Sequence, residues 1–285
     1  CHKNIFMTTD LFHLFRFAID KYSPITNYSN QYKLVHDICL RLKIRNNITI
    51  NPDEIIKKKV RSYKDIMDSF ATYIQKKNKG KKFIGEVANN EWRNIGRFLK
   101  MSEKHKAFQV IRDPRAILAS WKKLTYSGGH KYLNIIFQWI DSINYREQYL
   151  KKFPENYLRV KFEDIHTNPK KNAKKFCNFL NLKMDNNMIN VKKWPKLLKN
   201  KFIKINVSSY NSKKQVYGFS QKRNHTWKKK IENWEVALIQ FILKKYLKKL
   251  KYNLIKTRKE DLAKGMKILS KDNLLKKNYK IFLST

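Results

Sequence analysis

Three short apolar runs, residues 82–87, 106–111 and 156–161, constrain this chain more than any other feature. Each has strand length and each leads into a helical pattern. Strands that alternate with helices are joined by crossovers, so they form a parallel sheet whose faces the helices cover. The order reads strand–helix–strand–helix–helix–strand–helix. Helices are expected over 91–100, from 114 to about 125, along the stripe Tyr132, Ile135, Ile136, Trp139, Ile140 and Ile143, and over 170–180. Ligands of such sheets sit beyond the carboxyl ends of the strands. Arg112 and Phe162 occupy those ends.

The second of these junctions, residues 107–120, carries the most chemistry. Asp113 can cap the following helix, and Pro114 suits its first turn, where a missing N–H costs nothing. A strand-to-helix corner of this kind is expected to offer free backbone N–H groups and the positive end of the helix dipole to an anion. Arg112 brings a planar guanidinium that grips phosphate oxygens in pairs. Ser120 lies about two helical turns beyond it, on a face that can turn toward the same anion.

Arg112, Asp113-Pro114 and Ser120 resemble the second nucleotide signature of the sulfotransferases that use 3′-phosphoadenosine 5′-phosphosulfate (PAPS). In that family the Arg and Ser hold the 3′-phosphate. A second stretch, residues 156–164 with Asn168-Pro169 and the helix after it, is similar to the family's strand, Tyr-Glu-Asp segment, Asn-Pro turn and helix. Phe162 stands where the family often has a Tyr near the adenine. A third stretch, residues 206–209 through Arg223, His225, Trp227 and Lys228, looks like the family's Ser-Ser loop and Trp-Lys segment. The resemblance covers residues 82–255. It implies a three-layer α/β sandwich with a central parallel sheet, related to the P-loop kinases. It also implies PAPS as co-substrate and transfer of its sulfonate to a hydroxyl or amine. The implied nucleotide-binding residues are Arg112, Ser120, Phe162, Arg223 and Lys228.

One part of the family pattern is missing. Its first nucleotide site is a Gly-rich loop after the first strand, where Gly allows positive φ and close backbone approach to phosphate. The chain has seven Gly and none in its first 79 residues. The sequence therefore reads as N-terminally truncated, beginning after the first strand and its loop. The catalytic base is unknown. Where the family places Lys-Thr-His at a strand end, this chain has Val87 and Asn89, and Glu86 is the only titratable side chain nearby. His130, after Gly128-Gly129, is a second candidate with a plain loop reading beside it.

At 285 residues, with 42% hydrophobic residues, the chain can bury a full core. We expect one sulfotransferase-like domain over 1–255. Its helical acceptor-side region spans 1–80, its nucleotide-binding core spans 82–255, and a Lys-rich tail follows over 256–285. Residues 8–80 read as helical, with stripes at Leu11, Leu14, Phe15 and Ala18 and along 55–75. A last amphipathic helix carries Ile231, Trp234, Leu238, Phe241 and Ile242 on one face.

The formal charge of +42 points toward polyanions. However, 52 of the 64 basic residues are Lys and only 12 are Arg, whereas nucleic-acid readers favour Arg for bidentate contacts. No nucleic acid is expected as partner. The alternatives to an enzyme are an inactive truncated relative of the family and a Lys-rich nucleic-acid or polyanion binder. Residues 192–285 alone carry a net +22, a field that can steer an anionic nucleotide or acceptor. No metal-ligand spacing occurs, so no metal is expected. Cys1, Cys39 and Cys177 form no framework of pairs, and no apolar run is long enough to span a bilayer. Sparse Cys and short loops suggest a cytoplasmic enzyme. The acceptor, whether carbohydrate, lipid, protein or small molecule, is not encoded in any readable motif.

Overall fold

Alternating apolar runs and amphipathic segments produce the expected parallel α/β arrangement. The structure, a computed structural model, describes residues 2–9, 14–56, 60–88, 90–122, 128–194 and 218–284. In chain order, the first half holds β1 (Ile5–Thr9), α1 (Ile19–Lys21), α2 (Tyr28–Arg41), α3 (Tyr63–Lys77), β2 (Phe83–Val87) and α4 (Ile95–Lys100). There follow β3 (Ala107–Ile111), α5 (Pro114–Trp121), α6 (Ile135–Lys152), β4 (Tyr157–Lys161), α7 (Phe162–Thr167) and α8 (Pro169–Phe179). The last three helices are α9 (Asn233–Lys249), α10 (Lys259–Lys271) and α11 (Asn273–Leu283). The chain divides into two compact units, residues 1–106 with 173–218 and residues 107–172 with 219–285.

The first unit contains a strand that the sequence reading did not anticipate. β1 pairs in parallel with β2, from Ile5 opposite Phe83 to Thr9 opposite Val87. The reading that places no strand ahead of residue 82, and the helical reading from residue 8, are corrected accordingly. The period-2 signal is there, since Phe6 and Thr8 are buried on one face. The strand is only five residues long and leads into a Phe- and Leu-rich run of helical spacing, which masks it. Residues 10–13, which follow β1, lie outside the described ones, as do Leu11 and Asn89.

The helix expected from residue 55 starts instead at Tyr63, and its cap explains why. The Ser62 hydroxyl accepts the Asp65 N–H, and the Asp65 carboxylate accepts the N–H groups of Ser62 and Arg61, both at 2.9 Å. Such a reciprocal cap satisfies donors that a helix start leaves open. Ile66, Phe70 and Ile38 are buried in this unit's core together with Cys39.

The second unit is built on β3 and β4, paired in parallel from Ala107 opposite Tyr157 to Ile111 opposite Lys161. Its centre is α9. The expected single apolar stripe understates this helix: Leu238, Ile239, Leu243 and Leu247 are fully buried, and the polar Glu235 and Gln240 are buried as well. Phe241, placed on the apolar face by its spacing, is instead 50% exposed. Residues 256–285 contribute two helices. Leu269 and Leu275 join the core, and Gly265 of α10 crosses α9 so closely that an added Cβ would lie 3.0 Å from Leu238 Cβ and 3.2 Å from the Trp234 carbonyl oxygen.

Candidate functional site

Arg112, Ser120, Phe162, Arg223 and Lys228, the nucleotide-binding residues that the resemblance implies, all belong to the second unit. The corner after β3 forms as its sequence dictates: the Asp113 carboxylate accepts the Arg115 N–H at 2.9 Å, and Pro114 opens α5. The corner does not, however, present free N–H groups. Asp113 N–H donates to Glu163 Oε1 at 2.8 Å, and the Ala116 and Ile117 N–H groups bond to the Asp113 carbonyl. Pro114 has none to offer. The expected backbone cradle is therefore consumed internally at Asp113, Arg115, Ala116 and Ile117.

Arg112 stands at this corner. Its guanidinium carbon lies 4.3 Å from the centre of the Phe162 ring, which opens α7 at the end of β4. Its carbonyl oxygen accepts the indole N–H of Trp139 at 3.0 Å. The parallel register thus brings Arg112 and Phe162, fifty residues apart in sequence, to one place. Stacking on an aromatic face orients a guanidinium. Ser120 is exposed on α5, about 9 Å of helix rise from Pro114.

The C-terminal candidates are only partly visible. Lys228 is exposed on the short helical turn Thr226–Lys229. That turn is anchored by buried Trp227, over whose ring the Arg115 guanidinium sits at 4.4 Å. The side chain of Arg223 and residues 206–209 lie outside the described residues.

The second Arg of Arg-Asp-Pro-Arg has a structural task that sequence reasoning missed. Arg115 is buried, with Nε and Nη2 on the Asp113 carboxylate and Nη1 on Gln240 Oε1 and the Asn253 carbonyl, both at 2.9 Å. Glu163 and Tyr252 were missed too. Glu163 Oε2 accepts the Tyr252 hydroxyl at 3.1 Å, and the Lys161 ammonium sits 4.3 Å above the Tyr252 ring. Burial and the Glu163 charge push the Tyr252 phenol well above its usual range, so it remains a donor. His166, one helical turn after Phe162, has its ring 4.4 Å from it, and its Nδ1 accepts the Ser220 N–H. The i, i+4 spacing of Phe162 and His166 was the available signal.

The candidate bases sit differently. Glu86 is half-buried on β2, opposite Thr8 in the first unit. His130 is held in a nest around the start of α9, edge-on to Trp234 at 5.5 Å and beside Tyr132. There the fully buried Glu235 accepts from the Tyr132 hydroxyl, from Lys122 at 3.0 Å and from the Glu232 N–H. This is the polar cap of a core helix, consistent with the structural reading of His130. Among the described residues, no three His, Cys, Asp or Glu are grouped to hold a metal, and no helix is long and apolar enough to cross a membrane.

Comparison with known proteins agrees with this architecture. The fold is similar to that of the sulfotransferase domain from the Synechococcus PCC 7002 olefin synthase, at 17% identity and a TM-score of 0.51 over 84% of this chain and 74% of that one. The sulfotransferase domain from the curacin biosynthetic pathway also matches, at 14% identity and a TM-score of 0.48 over 67% and 69%. No curated protein matches the chain. The family model described as the sulfotransferase family matches residues 5–186, from β1 to just beyond α8 and well over half of the sequence, so this chain belongs to the sulfotransferase family.

Proposed function

We propose that this protein transfers a sulfonate group from PAPS to a hydroxyl or amine acceptor. In the transfer the acceptor oxygen or nitrogen bonds to sulfur while the bond from sulfur to the donor's 5′-phosphate oxygen breaks. Adenosine 3′,5′-bisphosphate leaves, and the acceptor proton passes to a base. Arg112 and Ser120 bind the 3′-phosphate, Phe162 lines the adenine side, and Lys228 with Arg223 adds positive charge from the C-terminal segment. No metal takes part in this scheme, because Arg and Lys neutralise the nucleotide.

The observation that carries the reading is the placement of Arg112 at the carboxyl end of β3, stacked on Phe162 from the end of β4, in a chain of this family. An Arg–phosphate pair is charge-assisted, so its loss should weaken binding roughly ten- to a hundredfold. Calorimetric titration of adenosine 3′,5′-bisphosphate into wild type and Arg112→Ala tests it. Binding by wild type that the variant loses supports the site, and equal binding, or none in either, overturns it. A second reading, nucleotide binding without transfer, is favoured by the lack of Gly in the first 79 residues. Consumption of PAPS in the presence of a mixed panel of phenols, sugars and amines separates the two.

A further inference from the structure

The peptide unit joining Arg112 to Asp113 is fixed at both ends. Its carbonyl oxygen accepts from Trp139 Nε1 at 3.0 Å, and its N–H donates to Glu163 Oε1 at 2.8 Å. Glu163 is held in turn by the Tyr252 hydroxyl on its other oxygen. Tyr252 belongs to the segment between α9 and α10, and two further ties fasten that segment. The Asn253 carbonyl accepts from Arg115 Nη1, and the Ile255 N–H and carbonyl pair with the side-chain amide of Gln240, both at 2.8 Å. Asp113 is thus gripped twice by the same segment, through its backbone by way of Glu163 and through its carboxylate by way of Arg115.

From this we infer that Tyr252 is a positioning residue for the 3′-phosphate corner, setting the direction of Arg112 through Glu163 and the Arg112–Asp113 peptide. The inference rests on the functional reading above. Tyr252 is only 8% exposed and its bond to Glu163 is half-buried, so loss of the hydroxyl removes a fixed donor from that carboxylate. Glu163 without that partner has a free oxygen beside a basic corner and can turn toward Arg112 or Lys161, releasing the Asp113 N–H. The anion would then meet a guanidinium pointed elsewhere and a carboxylate competing for it.

The test compares two nucleotides that differ only in the 3′-phosphate. Adenosine 3′,5′-bisphosphate and adenosine 5′-phosphate are titrated into wild type, Tyr252→Phe, Glu163→Gln and Glu163→Ala, with thermal unfolding of each variant alongside. Tyr252→Phe should lower bisphosphate affinity roughly tenfold, the scale of a lost hydrogen bond to a charged group, and leave 5′-phosphate affinity unchanged. Glu163→Gln keeps an oxygen for the Asp113 N–H and should retain most of the affinity, whereas Glu163→Ala should lose at least as much as Tyr252→Phe. Equal losses for both nucleotides would indicate a general structural effect and overturn the proposal. So would a Tyr252→Phe variant with wild-type discrimination. Wild type that binds neither nucleotide removes the functional reading itself, and this inference with it.

Discussion

Replacing Arg115 with Ala should separate the two arginines of Arg-Asp-Pro-Arg. The Arg115 and Asp113 side chains are 3% and 7% exposed, and four of the five guanidinium donor positions are visibly engaged by the fork on Asp113 and by Gln240 and Asn253. Truncation leaves the Asp113 carboxylate buried with only its helix-cap bond, and removes the cation that lies over Trp227. Breaking a buried pair from one side costs about 3–5 kcal/mol. For a chain of this size that corresponds to a fall in Tm of about 10 °C. Arg112→Ala, by contrast, leaves the buried Arg115–Asp113 pair intact and should lower the Tm less than Arg115→Ala does, while weakening bisphosphate binding roughly ten- to a hundredfold. The assay is urea and thermal unfolding followed by tryptophan fluorescence, read beside calorimetric titration. An Arg115→Ala protein within about 1 kcal/mol of wild type would refute the reasoning, because it would mean the carboxylate is not desolvated as the geometry requires. An Asp113→Asn/Arg115→Met pair should be less destabilised than the two single changes combined, since neither partner is then left as an unpaired buried charge.

Gly265→Val should destabilise the second unit by about 1–3 kcal/mol in chemical unfolding, because the added methyls meet the Trp234 carbonyl and Leu238 at the crossing of α9 and α10; unchanged stability would show that the helices separate at little cost. Asp65 is held below the usual carboxylate range, chiefly by the Arg61 N–H and then by the Ser62 hydroxyl and N–H. Its folded pKa is depressed, so its contribution is present above the unfolded value near pH 4 and is lost as pH falls through the folded value. Asp65→Ala should therefore cost about 1 kcal/mol at neutral pH and progressively less in acid, and a pH-independent cost in urea titrations would contradict the capping role.

Much of the parallel framework was legible because it rests on local signals. The runs at 83–87, 107–111 and 157–161 were placed within a residue, since a five-residue apolar run between polar turns has few other uses. Asp113-Pro114 announced the start of α5 in the same way. β1 was hidden by the helical stripe that follows it, and the onset of α3 was set by the Ser62–Asp65 cap rather than by apolar spacing. Phe241 obeyed the helical period yet faces outward, because α9 buries most of its circumference and leaves only a narrow outer strip. At the site, Arg112 and Phe162 were visible from topology and motif. Glu163 with Tyr252, and Arg115 with Asn253, were not: they meet across 89 and 138 residues, and nothing near any of them marks the pairing.

Those separations bear on how the protein comes into being. The Arg115–Gln240 and Arg115–Asn253 bonds close loops of 125 and 138 residues, and the chain completes the excursion 173–218 before residues 219–285 can supply their half. Contacts of such high order form slowly, because loop entropy is lost before the bonds reward it. Until then Arg115 and Asp113 remain hydrated and the corner has no set direction. The geometry of this corner is thus acquired at the end of folding, and a peptide spanning β3 and α5 alone carries the motif without it.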